Sequence, residues 1–185
     1  MLEDKLAIQL QGKSEPGMGG PVSSGSNEQA PRPDLPTPPA GCSTYVNVAH
    51  GFSIGYPQSF FVQPQEVSKL SRFTPTPVAS MFFMNPTMAS GALASIEPPD
   101  PEVRVYRAEA ADSLKNWLFS GGIASSAGSA GYQPYRSASV DGLKVCHSTL
   151  IAPGCSVYVL HSGRVYQLMP VSREGEAMIG TFALL

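Results

Sequence analysis

The chain has few charged residues, little net charge and no long apolar run. The small net charge argues against nucleic-acid binding, and the missing apolar run argues against a membrane-spanning segment. Charged residues make up 14% of its 185 residues, against about 25% in a typical soluble domain. Twelve basic and fourteen acidic residues leave a formal charge of −2, which provides no attraction to nucleic acid or to an acidic membrane surface. No apolar run approaches the about 18 residues that cross a bilayer, and residues 1–30 lack the apolar core of a signal peptide.

The few residues able to carry chemistry are not spaced for a metal site or a catalytic site. Cys146, His147, Cys155 and His161 resemble a zinc set by composition, but neighbours in a strand point to opposite faces. Cys155 and His161 are roughly 20 Å apart along a strand. The acidic residues within 97–102 occur in a proline-rich stretch, where a solvated loop is expected. The sequence therefore predicts no catalytic, cofactor-binding or metal-binding residues and no cofactor.

The two cysteines of the C-terminal half have alternative partners, and the position of one turn decides between them. A turn at Pro153-Gly154 pairs Cys146 with His161, the arrangement that a thiol-dependent enzyme needs. A turn at Leu150-Ile151 instead pairs Cys146 with Cys155 and permits a disulfide, which suits an oxidising compartment. The Pro-Gly dipeptide favours the first register. Both alternatives remain open from the sequence.

Residues 1–42 are rich in glycine, serine and proline, a composition that predicts a disordered tether. Cys42 follows Pro39-Ala40-Gly41, which ends like a lipoprotein box. Pro39 occupies the position where the box has an aliphatic residue, so Cys42 is interpreted as a linker cysteine. Tethers of this kind hold a folded domain away from a membrane anchor, and we expect residues 43–185 to form that domain.

The last thirty residues predict a hairpin followed by a helix. Residues 157–161 and 164–169 are rich in β-branched and aromatic side chains, and Ser162-Gly163 supplies a two-residue turn. That turn pairs Leu160 with Val165, Val159 with Tyr166 and Val157 with Leu168. Both faces of the hairpin are then largely apolar, which predicts a sheet covered on both sides. Residues 174–182 are expected to be helical, with Met178, Ile179 and Phe182 facing the core.

The remaining elements predict a single α+β domain with an antiparallel sheet flanked by helices. A first hairpin is expected around His50-Gly51, and strands are expected over residues 78–84, 103–106 and 140–151. Residues 108–120 predict a helix with one apolar stripe, which contains Trp117 as a core anchor.

Two stretches of this chain resemble the PsbP-like family. YVNVAHGFSIGYPQSF is similar to the opening hairpin of that family, and VYVLHSGRVYQLMPVSREGEAMIGTFAL is similar to its last hairpin and closing helix. The resemblance covers residues 43–185. It implies an antiparallel sheet between helices, the fold of the extrinsic PsbP subunit of photosystem II, of DcrB-type envelope lipoproteins and of a Ran-binding import factor. It implies no catalytic residues, and the export habit of the family suggests an anchor upstream of this sequence.

From these observations we expect a non-enzymatic, extracytoplasmic binding or accessory module of the cell envelope. It would dock to a protein partner or a small ligand, and it would not bind nucleic acid. One alternative is a structural subunit of a surface or envelope assembly, with the strand containing residues 81–84 at a sheet edge. Another is a thiol-dependent enzyme that uses Cys146 and His161. A cytoplasmic location is the alternative to the envelope.

Overall fold

The computed structural model describes residues 41–70, 75–89, 98–120, 131–147 and 154–185, and antiparallel strands are their main regular structure. The strands are β1 (Cys42–Asn47), β2 (Phe52–Pro57), β3 (Phe61–Pro64), β4 (Ala79–Met84), β5 (Glu102–Arg107), β6 (Tyr132–Arg136), β7 (Asp141–His147), β8 (Gly154–His161), β9 (Arg164–Met169) and β10 (Ala183–Leu184). The helices are α1 (Val67–Leu70), α2 (Pro86–Ala89), α3 (Leu114–Ser120) and α4 (Arg173–Ile179).

The strands form two sheets. The larger sheet has seven strands in the order β3-β4-β5-β9-β8-β7-β6, and the smaller has three in the order β1-β2-β10. Every strand pair is antiparallel, so the predicted antiparallel sheet is present. The central strand of the larger sheet is β9, which explains why its sequence is apolar on both faces.

The predicted C-terminal hairpin is confirmed in its turn and its register. Leu160 pairs with Val165, Val159 with Tyr166, and Val157 with Leu168. Ser162 and Gly163 have φ values of 48° and 71°, and two consecutive positive φ angles match the right-handed twist of the strands that they connect.

Two apolar clusters cover opposite faces of the larger sheet. The first lies between the two sheets and includes side chains from β2, β4, β5, β8 and β9 together with Met178, Ile179 and Phe182. The second joins Tyr106, Val145, Tyr158 and Val165 to Leu118 of α3. The alternation of side chains along β5, β8 and β9 thus supplies both cores from the same three strands.

The first hairpin is longer at its turn than the two residues predicted. Asn47 pairs with Phe52, so residues 48–51 form a four-residue connection. The Asn47 side-chain oxygen accepts a hydrogen bond from the His50 N–H (3.1 Å), and the Asn47 carbonyl accepts one from the Gly51 N–H (2.8 Å). The asparagine side chain and the positive φ of Gly51 (72°) together stabilise the wider turn.

The helices are shorter than predicted. The helix expected over residues 108–120 begins only at Leu114, because residues 108–111 form a separate turn closed by the Ala111 N–H and the Ala108 carbonyl (3.0 Å). The Ser113 hydroxyl accepts from the Asn116 N–H (3.2 Å) and caps the helix. The glycines expected to end it, at 121–122, lie outside the described residues.

The terminal helix α4 begins after a capping serine. The Ser172 hydroxyl accepts hydrogen bonds from the N–H groups of Glu174 and Gly175, and the Asp100 carboxylate accepts from Val171 and Ser172. The helix ends at Ile179. Phe182 follows the helix yet is fully buried, so its predicted inward position is confirmed although its helical conformation is not.

The structural-subunit alternative depended on the strand containing residues 81–84 lying at a sheet edge, and this condition is not met. These residues belong to β4, which pairs with β3 on one side and with β5 on the other. Most of the tether predicted over residues 1–42 lies outside the described residues. Cys42 is described and begins β1, one residue before the predicted start of the domain.

We predict that Gly142→Ala destabilises the fold, because a Cβ at this position would overlap the backbone carbonyl oxygen of Tyr158 in the neighbouring strand. Overpacking of this kind costs about 1–3 kcal/mol, measurable as a change in the free energy of unfolding in urea. Gly154→Ala is the matched control, since nothing lies within 4 Å of its added Cβ. Equal effects of the two substitutions would contradict this packing.

Candidate binding pocket

The end of β5 and the start of α3 enclose an open pocket of about 400 Å³. It is lined by the continuous segment 107–112 and by Asn116 and Trp117. The volume lies in the range of small-molecule sites, about 300–1,000 Å³, and also suits one or two inserted side chains. We name this feature the β5–α3 pocket.

The backbone of the pocket is set by the turn that separates β5 from α3. The Ala108 N–H donates to the Gly163 carbonyl (2.8 Å), which continues the pairing of β5 with β9 for one residue beyond the strand. The chain then turns through residues 108–111. Three alanines in this turn (Ala108, Ala110 and Ala111) carry only a methyl group, and their small size leaves the volume open.

The indole of Trp117 forms one wall of the pocket. The residue is half-buried, and its ring packs on Tyr106 with centroids 5.2 Å apart and an interplanar angle of 57°. Trp117 also packs against the second apolar cluster. Its predicted role as a core anchor is therefore incomplete, because the same side chain lines the pocket.

A buried hydrogen-bond network holds Tyr106 beneath this wall. The Tyr106 hydroxyl donates to Gln167 Oε1 (2.7 Å), and Gln167 Nε2 donates to the Tyr158 hydroxyl (2.9 Å) and to Ser156 Oγ (3.3 Å). Gln167 is 7% exposed. Sequence reasoning missed it, although one glutamine in an otherwise apolar central strand is a signal of a buried polar group that needs partners.

A buried ion pair continues the polar face along β5. Arg104 Nη2 donates to Glu102 Oε2 (2.9 Å), and Arg104 Nε donates to Glu102 Oε1. The Ser80 hydroxyl also donates to Glu102 Oε1 (2.7 Å). Burial alone would lower the pKa of Arg104, but the hydrogen bond and the charge of Glu102 raise it. A bidentate pair with satisfied neighbours orders the sheet face.

Burial raises the pKa of both Tyr106 and Tyr158, and the positive charge of Arg104 only partly opposes this. The two phenols are therefore neutral hydrogen-bonding groups at physiological pH. A neutral Tyr106 whose hydroxyl is already donated to Gln167 serves to position the indole that packs against it at a tilted angle.

The acidic residues of the proline-rich stretch do not share the solvated loop expected for them. Glu102 begins β5 and is 7% exposed. Asp100 accepts backbone hydrogen bonds at the start of α4. Glu97 lies outside the described residues. Glu102 differs from the expectation because Arg104 and Ser80 replace water around its carboxylate.

The structure does not bring Cys146 and His161 together. Cys146 pairs directly with Cys155, and His161 pairs with Arg164. The predicted register with a turn at Pro153-Gly154 is wrong by six residues, and residues 148–153 lie outside the described part of the chain. The Pro-Gly dipeptide misled the prediction, because Gly154 begins β8 and pairs with His147.

In this register, Cys146 and Cys155 form a disulfide, with their Cα atoms 3.9 Å apart. Cys42 is a free cysteine. Within the described ranges there is no group of three or more His, Cys, Asp or Glu side chains able to hold a metal ion. Nor does any helix among these residues have the length and hydropathy to cross a membrane.

Comparison with solved structures shows a similar fold. The solution structure of cyanobacterial PsbP (CyanoP) from Synechocystis sp. PCC 6803 aligns with a TM-score of 0.51 and 10% sequence identity. The alignment covers 90% of this chain and 100% of that chain. No protein-family model and no curated protein matches the sequence. The predicted PsbP-like fold is thus confirmed, and an identity of 10% extends the similarity to the fold alone.

We predict that unreduced, denatured protein reacts with one equivalent of a thiol reagent, because Cys42 is free while Cys146 and Cys155 are joined. After reduction it should react with three, the total number of cysteines. Ellman titration before and after reduction makes the measurement, with Cys42→Ser as the control that should give none before reduction. Three reactive thiols in unreduced protein would contradict the pairing.

We predict that Tyr106→Phe lowers the free energy of unfolding by about 1–3 kcal/mol at pH 7, because Gln167 Oε1 loses its buried donor. Folding favours the neutral phenol, since burial raises the pKa of Tyr106. This contribution is fully present below about pH 10, the ordinary pKa of tyrosine, and is lost as the pH rises through the higher folded-state pKa.

The wild type should therefore lose stability above about pH 10 more steeply than Tyr106→Phe, as measured by urea unfolding with Cys42 alkylated. Tyr132→Phe, at an exposed ring, should retain the wild-type slope. Equal slopes for all three proteins would show that the Tyr106 phenol does not contribute.

Proposed function

We propose that this chain is a non-enzymatic, extracytoplasmic accessory module that docks to a protein partner through the β5–α3 pocket. The observation that carries the proposal is an open pocket of about 400 Å³ with an indole wall, on a fold similar to that of cyanobacterial PsbP. The fold similarity supports an accessory role by analogy only, so the pocket provides the specific argument.

The pocket has the layout of a protein-docking site. Its lining combines alanine methyl groups and the indole of Trp117 with the polar residues Arg107, Glu109, Asp112 and Asn116. All four of these polar residues are exposed. Interfaces usually combine apolar and polar groups, and an aromatic anchor often contributes much of their binding energy.

The charges of the lining select among partner segments. The lining includes two residues with carboxylates, Glu109 and Asp112, and one with a guanidinium, Arg107. The lining therefore carries one net negative charge. We infer that the partner inserts an apolar or aromatic side chain that is flanked by a basic residue, since complementary charge favours correct docking and raises the association rate.

Two further observations support a non-enzymatic, extracytoplasmic role. The one nucleophile–base pair considered from the sequence, Cys146 and His161, is divided between different strand partners. The disulfide between Cys146 and Cys155 suits an oxidising compartment, which favours the envelope over the cytoplasm. The alternative of a structural subunit loses its argument, because β4 is not an edge strand.

The test uses a photo-cross-linking amino acid at Ala110, which is exposed and lines the pocket. Cross-linking in the native host, followed by mass spectrometry, should recover a partner that the same group at Ala138 does not. Ala138 is exposed and follows β6, so it serves as the matched control. Equal recovery from both positions would contradict docking at the pocket.

We predict that Ala110→Phe weakens the binding of the purified partner by about tenfold or more, because the added ring fills the space of a hot-spot side chain. Ala138→Phe should bind with wild-type affinity. Trp117 is the sole tryptophan of the chain, so its emission reports directly on occupation of the pocket. Undiminished binding to Ala110→Phe, with the same change in emission, would overturn the proposal.

A further inference from the structure

Three basic side chains form a row across the larger sheet, at the end that carries the Ser162-Gly163 turn. Arg107 of β5 pairs directly with Arg164 of β9, and Arg164 pairs directly with His161 of β8. Residues that are directly opposite in a sheet project to the same face, with their Cβ atoms about 4.5–5.5 Å apart. We name these three residues the basic row.

The turn between β1 and β2 approaches the same row from the smaller sheet. A Cβ placed at Gly51 would lie 3.7 Å from Arg164 Nη1, and the Tyr166 hydroxyl donates to the His50 carbonyl (2.7 Å). Burial lowers the pKa of His50, and the positive charge of Arg164 lowers it further. The His50 ring therefore lies within the field of the Arg164 guanidinium.

His50 adds an unsatisfied polar atom to this place. Its Nδ1 is buried and has no hydrogen-bond partner in the described part of the chain. A buried polar atom without a partner is uncommon and is costly in free energy. An additional hydrogen-bonding group at this position would remove that cost.

The charges of the basic row are not balanced by the ion pairs of the described residues. Those pairs join Lys69 to Glu66, Arg104 to Glu102, Arg136 to Asp141 and Lys144 to Glu176. Glu109 is the acidic residue beside the Ser162-Gly163 turn, with its Cγ 3.5 Å from a Cβ placed at Gly163, and it forms no ion pair within 4.0 Å among these. Like charges directly opposite each other destabilise a sheet.

We propose that the basic row, together with the His50 turn, binds a phosphate-class oxyanion. Two guanidinium groups supply planar forks of N–H donors and two permanent positive charges, which match a tetrahedral dianion in charge and in the number of its acceptor oxygens. His161 adds an imidazole at one end of the row, and His50 adds another beside Arg164. The bound anion would relieve the repulsion between Arg107 and Arg164. It would also supply a hydrogen-bond partner for His50 Nδ1.

The binding of an oxyanion does not depend on partner docking, but Arg107 belongs both to the basic row and to the lining of the β5–α3 pocket. The experiment therefore changes Arg164, which does not line that pocket. Inorganic phosphate is titrated into the folded chain at constant ionic strength, and the backbone amide signals are followed by NMR. Saturable shifts should concentrate at Gly51, Ser162 and Gly163.

Arg164→Gln should weaken the binding of phosphate by about tenfold or more, since one fork of charged donors is lost. Arg136→Gln is the control, because it removes one positive charge from an exposed position on β6, and it should bind within about twofold of the wild type. His161→Gln, at an exposed residue, provides a second reading in case Arg164→Gln does not fold, and it should also weaken binding.

Sulfate should compete with phosphate, whereas acetate at equal ionic strength should not, because it carries one charge and two oxygens. Shifts that do not saturate, or equal effects of Arg164→Gln and Arg136→Gln, would show that phosphate acts only by general charge screening. Either result would contradict the proposed site. Acetate as effective as phosphate would overturn the preference for a tetrahedral dianion.

Discussion

The pairing of β9 with β5 on one side and with β8 on the other is the constraint on which the rest of the structure depends. This pairing places Val105, Val159 and Tyr166 on the face that packs against the smaller sheet. It places Tyr106, Tyr158 and Val165 on the opposite face. Because successive side chains in a strand alternate between faces, a slip of one residue would exchange the two cores. The Ser162-Gly163 turn prevents that slip by closing the hairpin at one register.

The same register assembles the features proposed to bind ligands. Arg107, Arg164 and His161 become neighbours because they occupy equivalent positions at the ends of three adjacent strands. The same register lets Gln167, further along β9 than Arg164, form hydrogen bonds with Tyr106 and Tyr158. The pocket wall follows from this, since Tyr106 supports Trp117. Charge, polarity and aromatic packing thus derive from a single alignment of strands.

The local parts of the fold could be predicted from the sequence in detail, whereas the partner of each strand beyond a hairpin could not. The Ser162-Gly163 turn carries its own signal, because a glycine at a positive φ angle between β-rich segments fixes a hairpin without help from distant residues. The inward position of Met178 and Ile179 follows from helical spacing in the same way. The connection after Cys146 lacks such a signal at its centre, and the Pro-Gly dipeptide suggested the wrong alignment.

The β5–α3 pocket could not be predicted from the sequence, for a different reason. Its wall residue Trp117 was identified only as a core side chain, because helical spacing shows which face is apolar but not where that face ends. The turn at residues 108–111 interrupts the expected helix, and the pocket exists only because of that interruption. Gln167 was missed because its partners are contributed by other strands, which no local pattern reveals.

The order of the strands also governs when the domain can assemble. The central strand of the larger sheet is β9, one of the last strands in the sequence. In the smaller sheet, β2 pairs with β10, which contains Leu184. A chain that is synthesised from its N-terminus therefore has β3, β4 and β5 available long before the strand that joins them to β8 and β7. Neither core can close before β9 has been synthesised, so the earlier strands must wait for the C-terminal hairpin before they pack.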